Sequence, residues 1–172
     1  ADVTSISLIP FGGTVNVGPT LFNAYAVPVA SAVLDPTEAQ YDQGSAVPGM
    51  AFRFSDGDYC LEHPEEDFDS GVIPAQSRGQ VPHFWRWNNF NPWCPLASSA
   101  VIMNTNNAST LRTHIQGMTL SDGTGMDIGT MWGLKALSPA WQGLLGGDFS
   151  DRPAAYDEDT LKVLVVMTDG GI

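Results

Sequence analysis

Two side chains have the types and settings that point most directly to chemistry. Thr124 lies in the glycine-rich run Ser121-Asp-Gly-Thr124-Gly-Met-Asp127-Ile-Gly129, and Asp169 ends the run Leu161-Lys-Val-Leu-Val-Val-Met-Thr-Asp169-Gly170. A hydroxyl and a carboxylate brought together are hard oxygen donors, suited to Mg²⁺, Mn²⁺ or Ca²⁺. An octahedral ion needs about six ligands, so two donors hold it weakly unless others join them. The spacing leaves a second role open, in which Thr124 stabilises a turn and Asp169 caps a helix.

The remaining candidates carry weaker signals. His63, His83 and His114 share no metal-ligand spacing. Asp56-Gly-Asp58 with Glu62, Glu65, Glu66, Asp67 and Asp69 could collect Ca²⁺, but lacks the ligand order and closing Glu of an EF-hand, and reads equally as a solvated acidic loop. The aromatics from Trp85 to Trp93 offer a carbohydrate platform, a contact surface or simple packing. Asp122 and Asp127 could do acid/base work only with shifted pKa values. No Ser/His/Asp order and no P-loop occurs, so the chain reads as a non-enzyme. Cys60 and Cys94 have no CxxC or Cys/His zinc spacing; a disulfide, and with it an oxidising compartment, is the expectation, with two thiols as the alternative.

These residues need elements to hold them. Val3 to Pro10 suits a buried strand stopped by Pro10 and Gly12-Gly13. Residues 20–34 are undecided because Pro28 interrupts any helix. Residues 35–97 hold both cysteines and most aromatics without a persistent period, which predicts a loop-rich insertion. Ser109 is a plausible N-cap for a helix with Leu111, Ile115 and Met118 on one face, ending near Gly117. A second helix starts at Asp127 and stops at Ser138-Pro139, since proline disfavours helical geometry in the residue before it. Residues 140–159 form a polar connection into an aliphatic strand over 161–168. The expected architecture is an open, mostly parallel α/β sheet with covering helices, carrying Thr124 and Asp169 at its carboxyl edge.

Composition bounds the partners. With 172 residues, 43% hydrophobic and 15% charged, the chain suits one globular domain. Nineteen acidic against seven basic side chains, net charge -12, exclude a nucleic-acid partner, whose phosphates require Lys and Arg. No stretch reaches the roughly 20 apolar residues that span a bilayer, and no signal-peptide pattern is present.

The motifs taken together carry a family resemblance. Asp122-Gly-Thr124-Gly-Met-Asp-Ile-Gly129-Thr-Met-Trp132-Gly133-Leu-Lys-Ala-Leu137-Ser138-Pro139, followed by Lys162-Val-Leu-Val-Val-Met-Thr168-Asp169-Gly170, resembles the von Willebrand factor A-type (vWA) domain of TadG-like, Tad-type pilus-assembly proteins. Ser7-Leu-Ile-Pro10-Phe11-Gly-Gly-Thr-Val15-Asn16 resembles that group's second strand and its sequel. The resemblance covers roughly 1–19 and 108–172. It implies a Rossmann-like, doubly wound sheet lacking its first strand, a partial domain over 1–172 with an insertion at 35–97. It also implies a metal-ion-dependent adhesion site in which Thr124 and Asp169 are two of the ligands. The Asp-x-Ser-x-Ser loop that supplies the others is absent from the chain and expected upstream of Ala1, so Mg²⁺ or Mn²⁺ (or Ca²⁺) would be held weakly here or not at all. The absent strand would lie between Ser5–Pro10 and Leu161–Thr168, which must then leave a gap or pair abnormally. The implied function is metal-dependent adhesion or protein binding in pilus assembly. The implied setting is the periplasmic or extracellular side of a bacterial envelope, with an N-terminal membrane anchor outside this chain. A metal-independent module binding through the insertion is the alternative, and a metal-assisted hydrolase a more remote one.

Overall fold

The computed structural model describes residues 4–27, 50–53, 59–81, 83–86, 89–91, 94–121, 123–157 and 159–168. In chain order these form β1 (Ile6–Leu8), α1 (Gly18–Tyr25), β2 (Met50–Arg53), α2 (Glu66–Asp69), β3 (His83–Arg86), β4 (Asn89–Asn91), β5 (Ile102–Thr105), α3 (Ala108–Gly117) and α4 (Met126–Leu137).

The strands make two small antiparallel sheets among the described residues, β1-β5 and β2-β3-β4. This corrects the doubly wound parallel sheet expected from the sequence. Ile6 faces Thr105 and Leu8 faces Ile102, so β5 carries one extra residue over that interval. The extra residue is accommodated by a bulge in which Asn104 takes φ 52° and donates its backbone N–H to Ser7 Oγ at 3.0 Å. The aliphatic run 161–168 is not in a strand. It and β1 both line one groove, and among the described residues they do not pair. Within the expected loop-rich segment 35–97, β2, β3 and β4 form a meander whose register runs from Met50 opposite Arg86 to Arg53 opposite His83.

Local chemistry accounts for the helices. Pro19 opens α1, where its missing N–H costs nothing. Asn107, two residues before the expected cap, takes the Ser109 and Thr110 N–H groups on its side-chain oxygen and starts α3. α4 ends at Leu137 as Ser138-Pro139 dictates, and Ser138 Oγ then accepts from Ala140 N–H to begin the short turn Pro139–Trp141.

The core gathers around α4. Trp132 is fully buried, and its ring lies 5.9 Å from that of Trp141, which in turn meets Tyr25 at 5.4 Å and Phe149 at 6.1 Å. Val15, Val17, Leu21, Leu61 and Ile73 complete it. Asn16, also fully buried, ties three segments together: its side-chain oxygen accepts from Gly18 N–H, its Nδ2 donates to Pro95 O at 2.7 Å, and its carbonyl accepts from Val101 N–H. Cys60 and Cys94 form the expected disulfide beside it, with Cα atoms 5.8 Å apart. Among the described residues no helix is long and apolar enough to cross a membrane.

Candidate functional site

Two features stand apart from ordinary packing, an open groove and a buried ion network. The groove, about 590 Å³, runs between Leu8–Phe11 at the end of β1 and Leu164–Thr168. The remainder of its wall comes from α4 through Gly129, Thr130 and Gly133, and from the end of α3 and its sequel through Ile115, Met118 and Leu120. None of the described residues that line it is charged. Gly133 permits this shape, because a Cβ there would fall 2.6 Å from Leu164 Cδ1.

Thr124 also lines the groove. Its loop is held against the Gly12-Gly13 turn by a hydrogen bond from Gly125 N–H to Gly12 O, and a Cβ on Gly125 would lie 2.6 Å from Gly13 O. Only glycine fits so close to another backbone. Thr124 itself is exposed. Asp169 and Asp122 lie outside the described residues, but Thr168, next to Asp169 in sequence, lines the same groove as Thr124. The described side-chain oxygen donors of the groove are therefore all hydroxyls, Ser121, Thr124 and Thr168 among them, of the hard type that Mg²⁺ takes. Without an anionic ligand among them they do not by themselves fit a divalent ion, and no group of three or more His, Cys, Asp or Glu side chains converges among the described residues.

The buried network was not foreseen from the sequence. Asp67, in the acidic run read as solvated, is fully buried, and Arg78 grips it bidentately, Nη2 to Oδ1 at 2.7 Å and Nε to Oδ2 at 2.9 Å. His63 Nδ1 meets Oδ2 at 2.9 Å, and its other nitrogen, Nε2, accepts from the Trp132 indole N–H at 3.1 Å. Lys135, buried on α4, donates to the carbonyls of Asp67 and Ser70. The histidine–aspartate spacing of four residues was visible in the chain, whereas Arg78 and Lys135 come from 11 and 68 residues away.

This arrangement fixes protonation states. Nε2 must stay bare to accept from Trp132, so Nδ1 carries the proton and His63 is neutral. Burial pushes its pKa below the usual histidine value of 6.5, and Asp67 opposes that only in part, with Lys135 and Arg78 adding to the depression. Burial alone would raise the Asp67 carboxyl, but hydrogen bonds from Arg78 and His63, with the Arg78 charge, hold it below the ordinary 3.8. Burial also lowers Lys135, against the pull of Asp67. An imidazole beside a carboxylate resembles a catalytic dyad, yet here the nitrogen that would act as base is occupied and the side chain is only 2% exposed.

The sign of the pH effect follows. As pH falls below 6.5 the unfolded chain takes up a proton at His63 that the folded chain resists, so stability present above 6.5 declines. Asp67 adds a second loss as pH falls from 3.8 through its lower folded value. We expect urea denaturation to show unfolding free energy falling below pH 6.5 with a limiting slope of about 1.4 kcal/mol per pH unit for one proton. A His63→Gln variant should lose that limb, and an unchanged slope would refute the assignment.

The other sequence candidates separate. His114 is half-buried on α3, and Asp127 is exposed in the first turn of α4. His83, Phe84, Trp85 and Phe90 lie on β3 and β4, while Asp56, Asp58, Trp87 and Trp93 fall outside the described residues. Comparison with family models, curated proteins and solved structures finds no match to this chain.

Proposed function

We propose that the chain is a non-enzymatic protein-binding module of the bacterial envelope, serving pilus assembly or adhesion, and that its partner is received in the groove beside β1. The observation that carries this reading is the groove itself. The described residues that line it are uncharged in a chain of net charge -12, and exposed Leu164, Val166, Ile115 and Met118 border it. Apolar surface gathered in one place rather than scattered marks an interaction site. The occupied imidazole supports a role other than catalysis, and the family resemblance supplies the setting.

Site-specific photo-crosslinking in the native cell tests it. A benzoylphenylalanine at Val165 or Met118 should trap a discrete polypeptide, whereas the same probe at exposed Leu144, away from the groove, should not. Equal labelling at all three, or none in the groove, would sink the reading.

A metal-dependent form of this function is favoured by one observation, that Thr124 and Thr168 share the groove and Asp169 directly follows the latter. In that form a divalent ion near Thr124 is shared with a partner carboxylate. Calorimetric titration of Mg²⁺ and Mn²⁺ should then show weak binding that Thr124→Ala and Asp169→Ala abolish; no heat in the wild type, with crosslinking intact, would leave a metal-free groove.

A further inference from the structure

Residues 62–75 form a strap that leaves the fold and returns to it at one neck. Glu62 N–H bonds Gly79 O, Leu61 bridges to Gln80, and Val81 N–H bonds Cys60 O. The disulfide to Cys94 and the bridge from Asn16 to Cys60 fasten the outgoing limb to the core. The returning limb is fastened to the end of α1, where the amides of Gln76, Ser77 and Arg78 bond Ala24 O and Tyr25 O. Between these limbs only Asp67 and Ile73 are buried, so little apolar surface holds the strap down. Segments with few buried apolar contacts are those that open locally, at less cost than global unfolding.

Polar contacts dock it instead, with donors on one side and acceptors on the other. Trp132 and Trp141 donate their indole N–H groups to His63 Nε2 and Gly71 O, and Lys135 donates to the carbonyls of Asp67 and Ser70. The Asp67–Arg78 pair ties the strap to its own neck and need not break when the strap leaves α4. Of the four acceptors only His63 Nε2 takes up a proton near neutral pH. Once it does, two N–H groups face each other across 3.1 Å with no acceptor between them. The side chain is only 2% exposed, so water cannot satisfy it in place. The surrounding charges add to the effect. Asp67, on the strap itself, is outnumbered by Arg78 on the returning limb and Lys135 on α4, while Glu62, Glu65 and Glu66 nearby in sequence are exposed. Both Asp67 oxygens are already engaged, by Arg78 and His63. An open cavity of about 380 Å³, lined by Glu62, His63, Pro64, Ser77, Arg78 and Gly79, gives a proton access to the ring. Burial holds the docked His63 below 6.5, so docking is favoured above that pH and loses ground as pH falls through it.

We propose that residues 62–75 are a proton-operated latch: a proton taken up at His63 undocks the strap from α4 as a unit, uncovering the Trp132 and Trp141 indoles while the neck and the rest of the core stay folded. The latch stands on the buried network and is independent of the groove and its binding role.

Native-state hydrogen exchange of the 172-residue chain, read by NMR as protection factors at pH 7.5 and 5.0, is the test. Protection of the Trp132 and Trp141 indole N–H groups should fall together by about tenfold or more, towards the roughly 30-fold ceiling that one proton of reference pKa 6.5 sets at pH 5.0. At pH 5.0 their exchange should barely respond to low urea, because undocking exposes little surface, whereas the Val101 and Gly129 amides, bonded to Asn16 O and Gly125 O, should respond steeply. The midpoint should coincide with that of the His63 ring proton shift, assigned with His83→Gln and His114→Gln chains. His63→Gln, whose amide still accepts from Trp132 and donates to Asp67 but cannot charge, should keep both indoles protected at pH 5.0. Indole exchange with the urea dependence of Val101 would mean global unfolding and overturn the latch. A response at Trp132 without Trp141 would mean that the ring merely turns in place, and would overturn it too. So would a midpoint apart from that of His63, or an undiminished response in His63→Gln, either of which puts the trigger elsewhere.

Discussion

Replacing Asp67 with Ala should lower the unfolding free energy by about 3–5 kcal/mol, the loss typical when one member of a buried ion pair is removed. The magnitude comes from what remains. Arg78, mostly buried, would keep its charge with its two short contacts gone, and the exposed Glu66 at 3.7 Å is a poor substitute. His63 would lose the acceptor that fixes its Nδ1 proton, and with it the orientation that accepts from Trp132 at the centre of the core. Lys135 would still reach the carbonyls at residues 67 and 70, but with no carboxylate nearby to offset its buried charge. Against a total stability of roughly 5–15 kcal/mol for a domain of this kind, the variant sits near the limit of folding. Two comparisons sharpen the test in urea denaturation. Asp69→Ala, two residues on and exposed, should change stability by less than about 0.5 kcal/mol. Arg78→Met added to Asp67→Ala should recover part of the loss, because it removes the stranded charge. A loss under about 1 kcal/mol for Asp67→Ala would show that solvent or a neighbour compensates, and the network would have no claim as a fixed point of the fold.

What the sequence disclosed, and what it hid, divides by the range of the interaction. α3 and α4 were legible because their starts and stops are local: a polar cap, expected at Ser109 and found at Asn107, Asp127 in the first turn of α4, a proline after Ser138. The two capping residues compete for one helix start. Asn107 wins by taking two N–H groups, one of them that of Ser109 itself. Asp67 could not be recognised, since its neighbours Glu65, Glu66 and Asp69 are exposed and the partners that justify its burial are remote in sequence. The run Leu161–Thr168 shows the opposite failure. Its composition is that of a buried strand, and its alternating exposure keeps that conformation, but a sheet strand is defined by the edge it pairs with. With β1 turned to β5 and a groove between, the run remains an unpaired edge, and the parallel sheet that its composition promises does not form. β2 to β4 escaped notice because Asn, Trp and Arg interrupt the alternation on which strand recognition depends. For the site, Thr124 was found on the groove, while the network that organises the core beside it was not.

The disulfide carries the second large effect. A cross-link between residues 34 apart removes loop entropy from the unfolded chain worth about 3–4 kcal/mol on the chain-entropy account. In the folded chain the segments it joins are already fastened. Asn16 pairs with Cys60 in a β-bridge and donates to Pro95, the neighbour of Cys94, while Cys60 O accepts from Val81 N–H. The native arrangement around Asn16 should therefore survive removal of the bond, and the loss should be felt in the unfolded state. A Cys60→Ala/Cys94→Ala variant is expected to unfold at lower urea with a larger m value, because an unbridged chain exposes more surface when it opens. Its near-ultraviolet spectrum, to which the packed Trp132 and Trp141 rings contribute, should be unchanged before the transition. Both sulfurs are fully buried, so reductant should act on wild type only through opening, at a rate that rises with urea. An equal loss with an unchanged m value and an altered aromatic spectrum would place the effect in the folded state instead. Asn16 and Pro95 would then depend on the sulfur bridge rather than reinforce it.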